Sequence, residues 1–347
     1  MKGSAIMGVT IKDVAALAGV SPSTVSRTCN NSSLISAKTK EKVRKAMDEL
    51  GYDGPGIETI QEGEASKGAL GVIVPSYNDD SYESPFHLDV IRGISKACNM
   101  HRYTTCILSA KNEQELLQAI DQLRKSTKNV SFILLYSQEY DTIADFLYDE
   151  GLNFVLLGAP LQHDSEIISV DNDNFAAGFD ACQYLIDCGH TRIGYVGTDP
   201  SLAFSARRRQ GYQMAMLENH LDLNPAYCMD YEISSRYFRE AIEKMLSHED
   251  HPSALLVVDD IYALAVTQIC NELHLKIPED ISIIAFNDSI FTRLIVPPTT
   301  CIDIHGRQLG LEAAIQAINH LESPELTSSK VIIPYQIIER DSVKKNS

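Results

Sequence analysis

The chain has 347 residues, 44% hydrophobic and 22% charged, which suits two or three cores and is too apolar for a disordered polymer. No apolar run approaches the ~18 residues of a membrane span, and the first eight residues lack the apolar stretch and cleavage pattern of an export signal, so a cytoplasmic protein with no membrane partner is expected. The net charge of −17 argues against a nucleic-acid partner until its distribution is read: residues 1–53 hold eight bases against five acids, a balance of +3, and the remainder sums to −20. Eight cysteines are scattered with no C-x-x-C among them, a pattern of free thiols rather than of a disulfide framework or a metal site.

Thr10 precedes the apolar set Ile11, Val14, Ala15 and Ala18, with Asp13 three residues on, which predicts a capped helix that Gly19 ends. Ser21 caps a second helix and Pro22 fits its first position, so two helices meet across about three residues as a helix-turn-helix. A third runs from Ser36 to Leu50, with Val43, Ala46, Met47 and Leu50 inward and Lys38, Lys40, Lys42, Arg44 and Lys45 outward or flanking. Residues 53–68, DGPGIETIQEGEASKG, read as a linker. From Ala69 onward, apolar runs at 69–75, 105–108, 131–136, 154–158, 193–197, 254–258 and 281–286 alternate with helical patterns. Continuous Val/Ile/Leu runs between helices predict parallel sheets buried on both faces, in two doubly wound lobes, with a ligand held where the carboxyl ends of the strands face a cleft.

Residues 9–52, VTIKDVAALAGVSPSTVSRTCNNSSLISAKTKEKVRKAMDELGY, resemble the DNA-binding head of the LacI/GalR family without a gap. VDNDN (170–174), GHTRIGYVG (189–197), SARRRQGY (205–212), VVDD (257–260), IPEDISIIAFND (277–288) and PPTT (297–300) follow in that family's order, so the resemblance covers nearly the whole chain. LLYSQEYDTIADFL (134–147), VLLGAP (155–160) and IPYQIIERDSV (333–343) are similar to maltose-operon repressors of Gram-positive bacteria. The resemblance implies a multidomain chain: an all-α helix-turn-helix head at 9–53, a hinge at 54–68, and a two-lobed α/β body like that of periplasmic binding proteins. The expected lobes are 69–171 with 301–324, and 172–300 with 325–343.

The amino-terminal end of the second helix would enter the major groove, where Pro22, Ser23 and Arg27 meet base edges. Arg27 can present two donors to guanine O6 and N7. Thr10, Thr24, Ser26, Asn30, Ser36 and Lys38 match positions that hold phosphates, although a lone Ser or Thr is ordinarily a helix cap. The family's basic hinge helix is replaced by GPGIETIQE, where Gly54, Pro55 and Gly56 disfavour a helix, Glu58 and Glu62 repel phosphate, and Ile57 or Ile60 is left to act as the minor-groove wedge.

In the body the resemblance gives the ligand-gripping role to Arg209, with Arg207 and Arg208 on the surface. It places Asp259 or Asp260, Asn287 and Asp171 at strand ends as acceptors, and Phe86, Tyr231 and Tyr77 at or beside positions that pack the ligand, ordinary core packing being the alternative for the aromatics. Family members commonly carry Asp at the position of Asn287, and an amide alters the hydroxyl pattern it selects. The expected partners are operator DNA, a small sugar such as maltose or a maltodextrin, and a second copy of the chain docked through the face from Phe86 to Cys98. No cofactor is implied. A transport receptor has no use for residues 9–52, and the nucleotide-binding, hydrolase and metalloprotease signatures are missing from the sequence, so an enzyme is not expected.

Overall fold

The computed structural model describes residues 10–29, 35–50, 66–74, 84–247 and 250–345, and the chain divides at residue 66 into two compact units. The first holds α1 (Ile11–Ala18), α2 (Pro22–Cys29) and α3 (Ala37–Leu50). The Asp13 carboxylate accepts from the Thr10 amide (2.8 Å) and the Thr10 hydroxyl (2.6 Å), which starts α1. Gly19 ends it at φ 63°, a left-handed geometry that a side chain would strain. Ser21 Oγ accepts from the Thr24 amide at 3.2 Å and Ser36 Oγ from the Thr39 amide at 3.3 Å, opening α2 and α3. Val14, Ala15, Ala18, Val25, Val43 and Ala46 form the core of this unit. Of the inward positions expected for α1 and α3, Val14, Ala15, Ala18, Val43 and Ala46 are in this core and Ile11 and Met47 pack against it half-buried, the side chain of Leu50 lies outside the described residues, and Val25 is supplied by α2.

The second unit is built on two six-stranded sheets. In the first the order is β11 (Lys330–Ile332), β5 (Ile168–Asp171), β4 (Phe154–Leu157), β3 (Val130–Leu134), β1 (Gly68–Ile73), β2 (Tyr103–Leu108). The second runs β12 (Gln336–Ile338), β10 (Thr300–Asp303), β9 (Ser282–Phe286), β8 (Ala254–Val257), β6 (Ile193–Gly197), β7 (Cys228–Asp230). The pairings are parallel, with β10–β12 antiparallel at one edge. The seven apolar runs of the sequence are β1, β2, β3, β4, β6, β8 and β9. The remaining strands are only three or four residues long and carry polar residues, as in CMD and TCID, so no apolar run announces them.

The helices are α4 (Pro85–His101), α5 (Glu113–Ser126), α6 (Thr142–Asp149), α7 (Asn174–Asp187), α8 (Ala203–Glu218), α9 (Arg236–Leu246), α10 (Asp260–Glu272), α11 (Ile290–Leu294) and α12 (Gly306–Glu322). Each lobe has one unusually close helix pair, made by glycines that face the partner's backbone. A Cβ on Gly93 of α4 would lie 2.1 Å from the Arg307 carbonyl oxygen, and one on Gly310 of α12 would lie 2.0 Å from that of Val90. In the other lobe a Cβ on Gly178 of α7 would meet the Arg208 carbonyl oxygen at 2.2 Å, and one on Gly211 of α8 that of Phe175 at 2.1 Å.

The chain passes between lobes three times, after β5, after β10 and after β11. This corrects two expected boundaries. Residues 301–303 belong to β10 in the second sheet rather than to the first lobe, and residues 330–332 form β11 in the first sheet rather than the second. The physical reason is the parallel ladders that β10 makes with β9 and β11 with β5, which adjacency along the chain does not reveal. Among the described residues no helix is long and apolar enough to cross a membrane.

Candidate functional site

On the head, the helical period of α2 turns Val25 and Thr28 inward and leaves Pro22, Ser23 and Arg27 exposed, with Ser23 and Arg27 one turn apart. Thr24 and Ser26 flank them, half-buried. Thr10, Ser36 and Lys38 are exposed, but the first two hydroxyls are engaged locally, Thr10 with Asp13 and Ser36 with Thr39 (2.9 Å). Ser23 Oγ lies 2.7 Å from Ser21 Oγ. The Thr10 and Ser36 hydroxyls are thus engaged at the starts of their helices, and that of Ser23 bonds the residue that caps α2. Asn30, the wedge candidates Ile57 and Ile60, and Tyr77 lie outside the described residues.

The body gathers a polar cluster at the carboxyl ends of β5, β8 and β9, and its centre is Arg208 rather than Arg209. Arg208 is 4% exposed. Its Nε donates to Asn174 Oδ1 (2.8 Å) and its Nη1 to the Val258 carbonyl (2.9 Å). The guanidinium carbon sits 3.8 Å from the centroid of Phe286 and 4.9 Å from that of Phe204. Burial pulls this guanidinium down to about 10, with Tyr195, Asp259 and Asp171 opposing the shift, so it stays charged at neutral pH. Arg209 instead pairs with Asp230 at the end of β7, and Arg207 reaches Gln210 at 3.5 Å on the surface.

The burial pattern of α8 explains the exchange of roles. Ser205, Arg208, Gly211, Tyr212, Ala215 and Met216 are its inward residues, at spacings of three and four, with Ala203 at its start. Arg208 falls on that stripe and Arg209 falls about 100° off it. The same periodicity is legible in SARRRQGYQMAM, and it is the signal that the motif match overrode.

Around Arg208 stand the expected acceptors. Asp171 closes β5, half-buried, and its Oδ1 accepts from Asn174 Nδ2 at 2.9 Å. Burial raises its carboxyl to about 6, against the pull of Arg208 and of hydrogen bonds from Asn172 and Asn174. Asp259 caps α10 through the Ile261 amide (3.0 Å), and burial beside Asp260 holds its carboxyl well above the usual carboxylate range.

Asn287 lies beyond β9 at φ 72°, and its Nδ2 donates to Asp259 Oδ2 (2.9 Å) and Asp260 Oδ1 (3.3 Å). An Asp at this position would face two carboxylates, whereas the amide bonds both. Asn287 Oδ1 and Asp260 Oδ2 are left buried and without a hydrogen-bond donor. Two buried acceptors at the same strand end as a buried cation suit a ligand that carries adjacent hydroxyls.

The aromatic candidates are more peripheral. Phe86, at the amino end of α4, packs toward Gly306, where a Cβ would lie 3.2 Å from its ring. Tyr231 follows β7, is 40% exposed, and has its ring 6.2 Å from that of Tyr237. A strap after β3 bridges the lobes: the Ala203 amide donates to the Ser137 carbonyl (2.9 Å), the Glu139 amide to the Ser201 carbonyl (3.0 Å), and Gln138 Nε2 to Ser201 Oγ (2.9 Å). A cavity of about 250 Å³ lies behind this strap, toward α6, Tyr148 and His163, and shares none of the residues around Arg208. Sequence reading missed the bond between Arg208 and Asn174, because the two meet only once the end of β5 and the inner face of α8 are side by side.

Comparison with known proteins gives the same division. Residues 10–54 match the family described as bacterial regulatory proteins, lacI family, and residues 182–343 match a periplasmic binding protein-like domain. The HTH-type transcriptional regulator MalR of Streptococcus pneumoniae is 34% identical over 339 residues, covering 96% of this chain and 100% of that protein. A structure of a probable maltose operon transcriptional repressor from Staphylococcus aureus superposes with a TM-score of 0.70 at 29% identity, over 79% of this chain and 97% of that one. The lac repressor dimer bound to operator shares the fold across 97% of this chain and 100% of its own, with a TM-score of 0.66 at 21% identity.

Proposed function

This chain belongs to the lacI family of bacterial transcriptional regulators, and from that membership we propose that it is a repressor whose hold on operator DNA is set by a neutral sugar bound around Arg208, with maltose or a short maltodextrin as the effector. The observation that supports the sugar reading is a buried guanidinium, bonded to the Val258 carbonyl, at the same strand end as the unsatisfied acceptors Asn287 Oδ1 and Asp260 Oδ2. A vicinal diol supplies donors for both acceptors and accepts from the arginine. A phosphosugar fits poorly, since Asp171 and Asp259 lie around Arg208, with Asp260 beside Asp259, and acids at this cation would repel a phosphate. Maltose is favoured over other neutral sugars by the names of the similar regulators.

On the DNA side Arg27 is the base-reading residue, Ser23 and Pro22 its neighbours in the groove, and Thr10, Thr24, Ser26, Ser36 and Lys38 the backbone contacts. A single head reads a half-site, so a two-fold dimer on a pseudopalindromic operator completes the reading. Within the expected dimer segment, Val90, Gly93, Ile94, Ala97 and Cys98 are buried inside the subunit. That leaves Leu88, Arg92 and Lys96 as the exposed residues of the segment for such a contact, with Asn99 and Met100 exposed just beyond it.

The test is operator binding by the full-length protein across a salt series, with and without maltose. A steep salt dependence with a maltose-linked change of tenfold or more, about 1.4 kcal/mol of coupling, is the expected result. Operator binding that ignores maltose would remove the sugar and keep the repressor. Absence of specific binding would overturn the DNA reading for this chain with its acidic segment 54–68.

A further inference from the structure

The three crossovers between the lobes are tied together by one side chain. Asn172, 3% exposed, sits in the first crossover. Its Nδ2 donates to the Ile333 carbonyl in the third crossover (2.8 Å) and to the Ile304 carbonyl in the second (3.2 Å). The Ile333 amide returns a bond to the Asp171 carbonyl at 2.8 Å.

Two residues on, buried Asn174 bonds in both senses: its Nδ2 donates to Asp171 Oδ1 (2.9 Å) and its Oδ1 accepts from Arg208 Nε (2.8 Å). Between them, Asp173 caps α7 through the Ala176 amide at 2.9 Å. Residues 171–174 therefore fix a strand end, a crossover and a helix start as one piece, and Arg208 is attached to it.

The residue types are those the job demands. Asn172 must give two N–H donors to two carbonyls, which a carboxylate has none of, and Asn174 must donate to an acid while accepting from a guanidinium, which only an amide of that size does. Buried bonds of this kind are costly to leave unmade, so a shift at one end is transmitted to the other rather than absorbed by water.

We propose that Asn174 is a positioning residue for Arg208, and that Asn172 is the clasp through which the position of Arg208 sets the arrangement of the three crossovers. A ligand that draws the guanidinium toward itself pulls on Asn174, moves the 171–174 segment, and with it the carbonyls of Ile304 and Ile333. The inference rests on the reading of Arg208 as the effector-holding group.

The test uses full-length protein, maltose as the probe, and three measurements: maltose affinity, operator affinity with and without maltose, and amide hydrogen exchange without sugar. Asn174→Ala is expected to lower maltose affinity at least tenfold. Asn172→Ala should leave maltose affinity and sugar-free operator affinity within about threefold of the parent, yet shrink the maltose-linked change in operator binding to less than threefold. In the same variant the Ile333 amide and residues 303–306 should exchange at least tenfold faster. Asn172→Asp, which keeps the shape and removes both donated bonds, takes its place where the alanine variant does not fold.

Parent-like maltose affinity in Asn174→Ala, or parent-like coupling and exchange in the Asn172 variants, overturns the inference. Failure of the parent protein to bind maltose would instead sink the effector reading. The sugar-free exchange of the two variants then decides the clasp: loss of protection at both distant crossovers supports it, and unchanged protection rejects it.

Discussion

Arg208 and Arg209 are adjacent, identical in chemistry, and opposite in fate. The first is sealed under two aromatic rings with carboxylates for neighbours, and the second neutralises Asp230 at the edge of the sheet. Replacing Arg208 with Met keeps volume and removes the charged hydrogen bonds, worth about 1.5–3 kcal/mol, so maltose affinity measured by calorimetry should fall roughly 10- to 150-fold. Arg209→Met should leave it within about threefold. The sequence offered both arginines and the resemblance assigned the grip to Arg209, whereas Arg208 is the one that faces the strand ends, because which side of α8 faces them is a fact of packing. Asp171 carries a second prediction. Its folded value of about 6 lies above the usual 3.8, so the folded chain keeps a proton that the unfolded chain has lost. The stability it contributes is present below about pH 4 and is lost as pH rises through 6. A ligand hydroxyl donating to the anion favours the ionised form. Maltose affinity should therefore be level above about pH 6 and fall toward tenfold per unit below it, a dependence that Asp171→Asn should abolish.

At the scale of elements, each lobe relies on one glycine-mediated helix crossing, α4 with α12 and α7 with α8. Gly178→Ala places a methyl against the backbone of Arg208, which cannot turn aside as a flexible side chain would. Chemical denaturation should show a loss of about 1–3 kcal/mol, and maltose binding should weaken with it because the displaced atoms belong to the residue proposed to hold the ligand. Gly310→Ala makes the same clash at Val90 in the other pair and should cost stability with little effect on maltose. In the head, α2 is held from behind by Val25 and free in front. Arg27→Ala should lose about 1–3 kcal/mol on an operator that presents guanine to it and much less on random DNA. Lys38→Ala should weaken both equally and lower the salt slope by about 0.9. The helices of the head were legible residue by residue, since caps and apolar spacing are local. The short strands β5, β7, β10, β11 and β12 were not, since three or four residues with a polar member make no apolar run, and β11 pairs with a strand about 160 residues away.

For the molecule as a whole, the head and the body have separate cores, so two unfolding transitions are expected in calorimetry. Maltose at a hundred times its Kd should raise the body transition by about 2.7 kcal/mol of stabilisation and leave the head transition where it was, and a shift of both together would show that the two units unfold as one. The sequence by itself determined the three-helix head, the alternation of buried strands and helices, the charge contrast between head and body, and the regulatory family, because each is written in local periodicity or in a contiguous motif. Only the tertiary structure decided which arginine faces the acids, that Asn287 bonds two carboxylates at once, where the chain changes lobes, and that Asn172 ties the three crossovers. Those facts depend on strand ends brought together from residues 27 to 161 apart in the chain, and no local pattern encodes a contact whose partners are set by the ordering of a sheet.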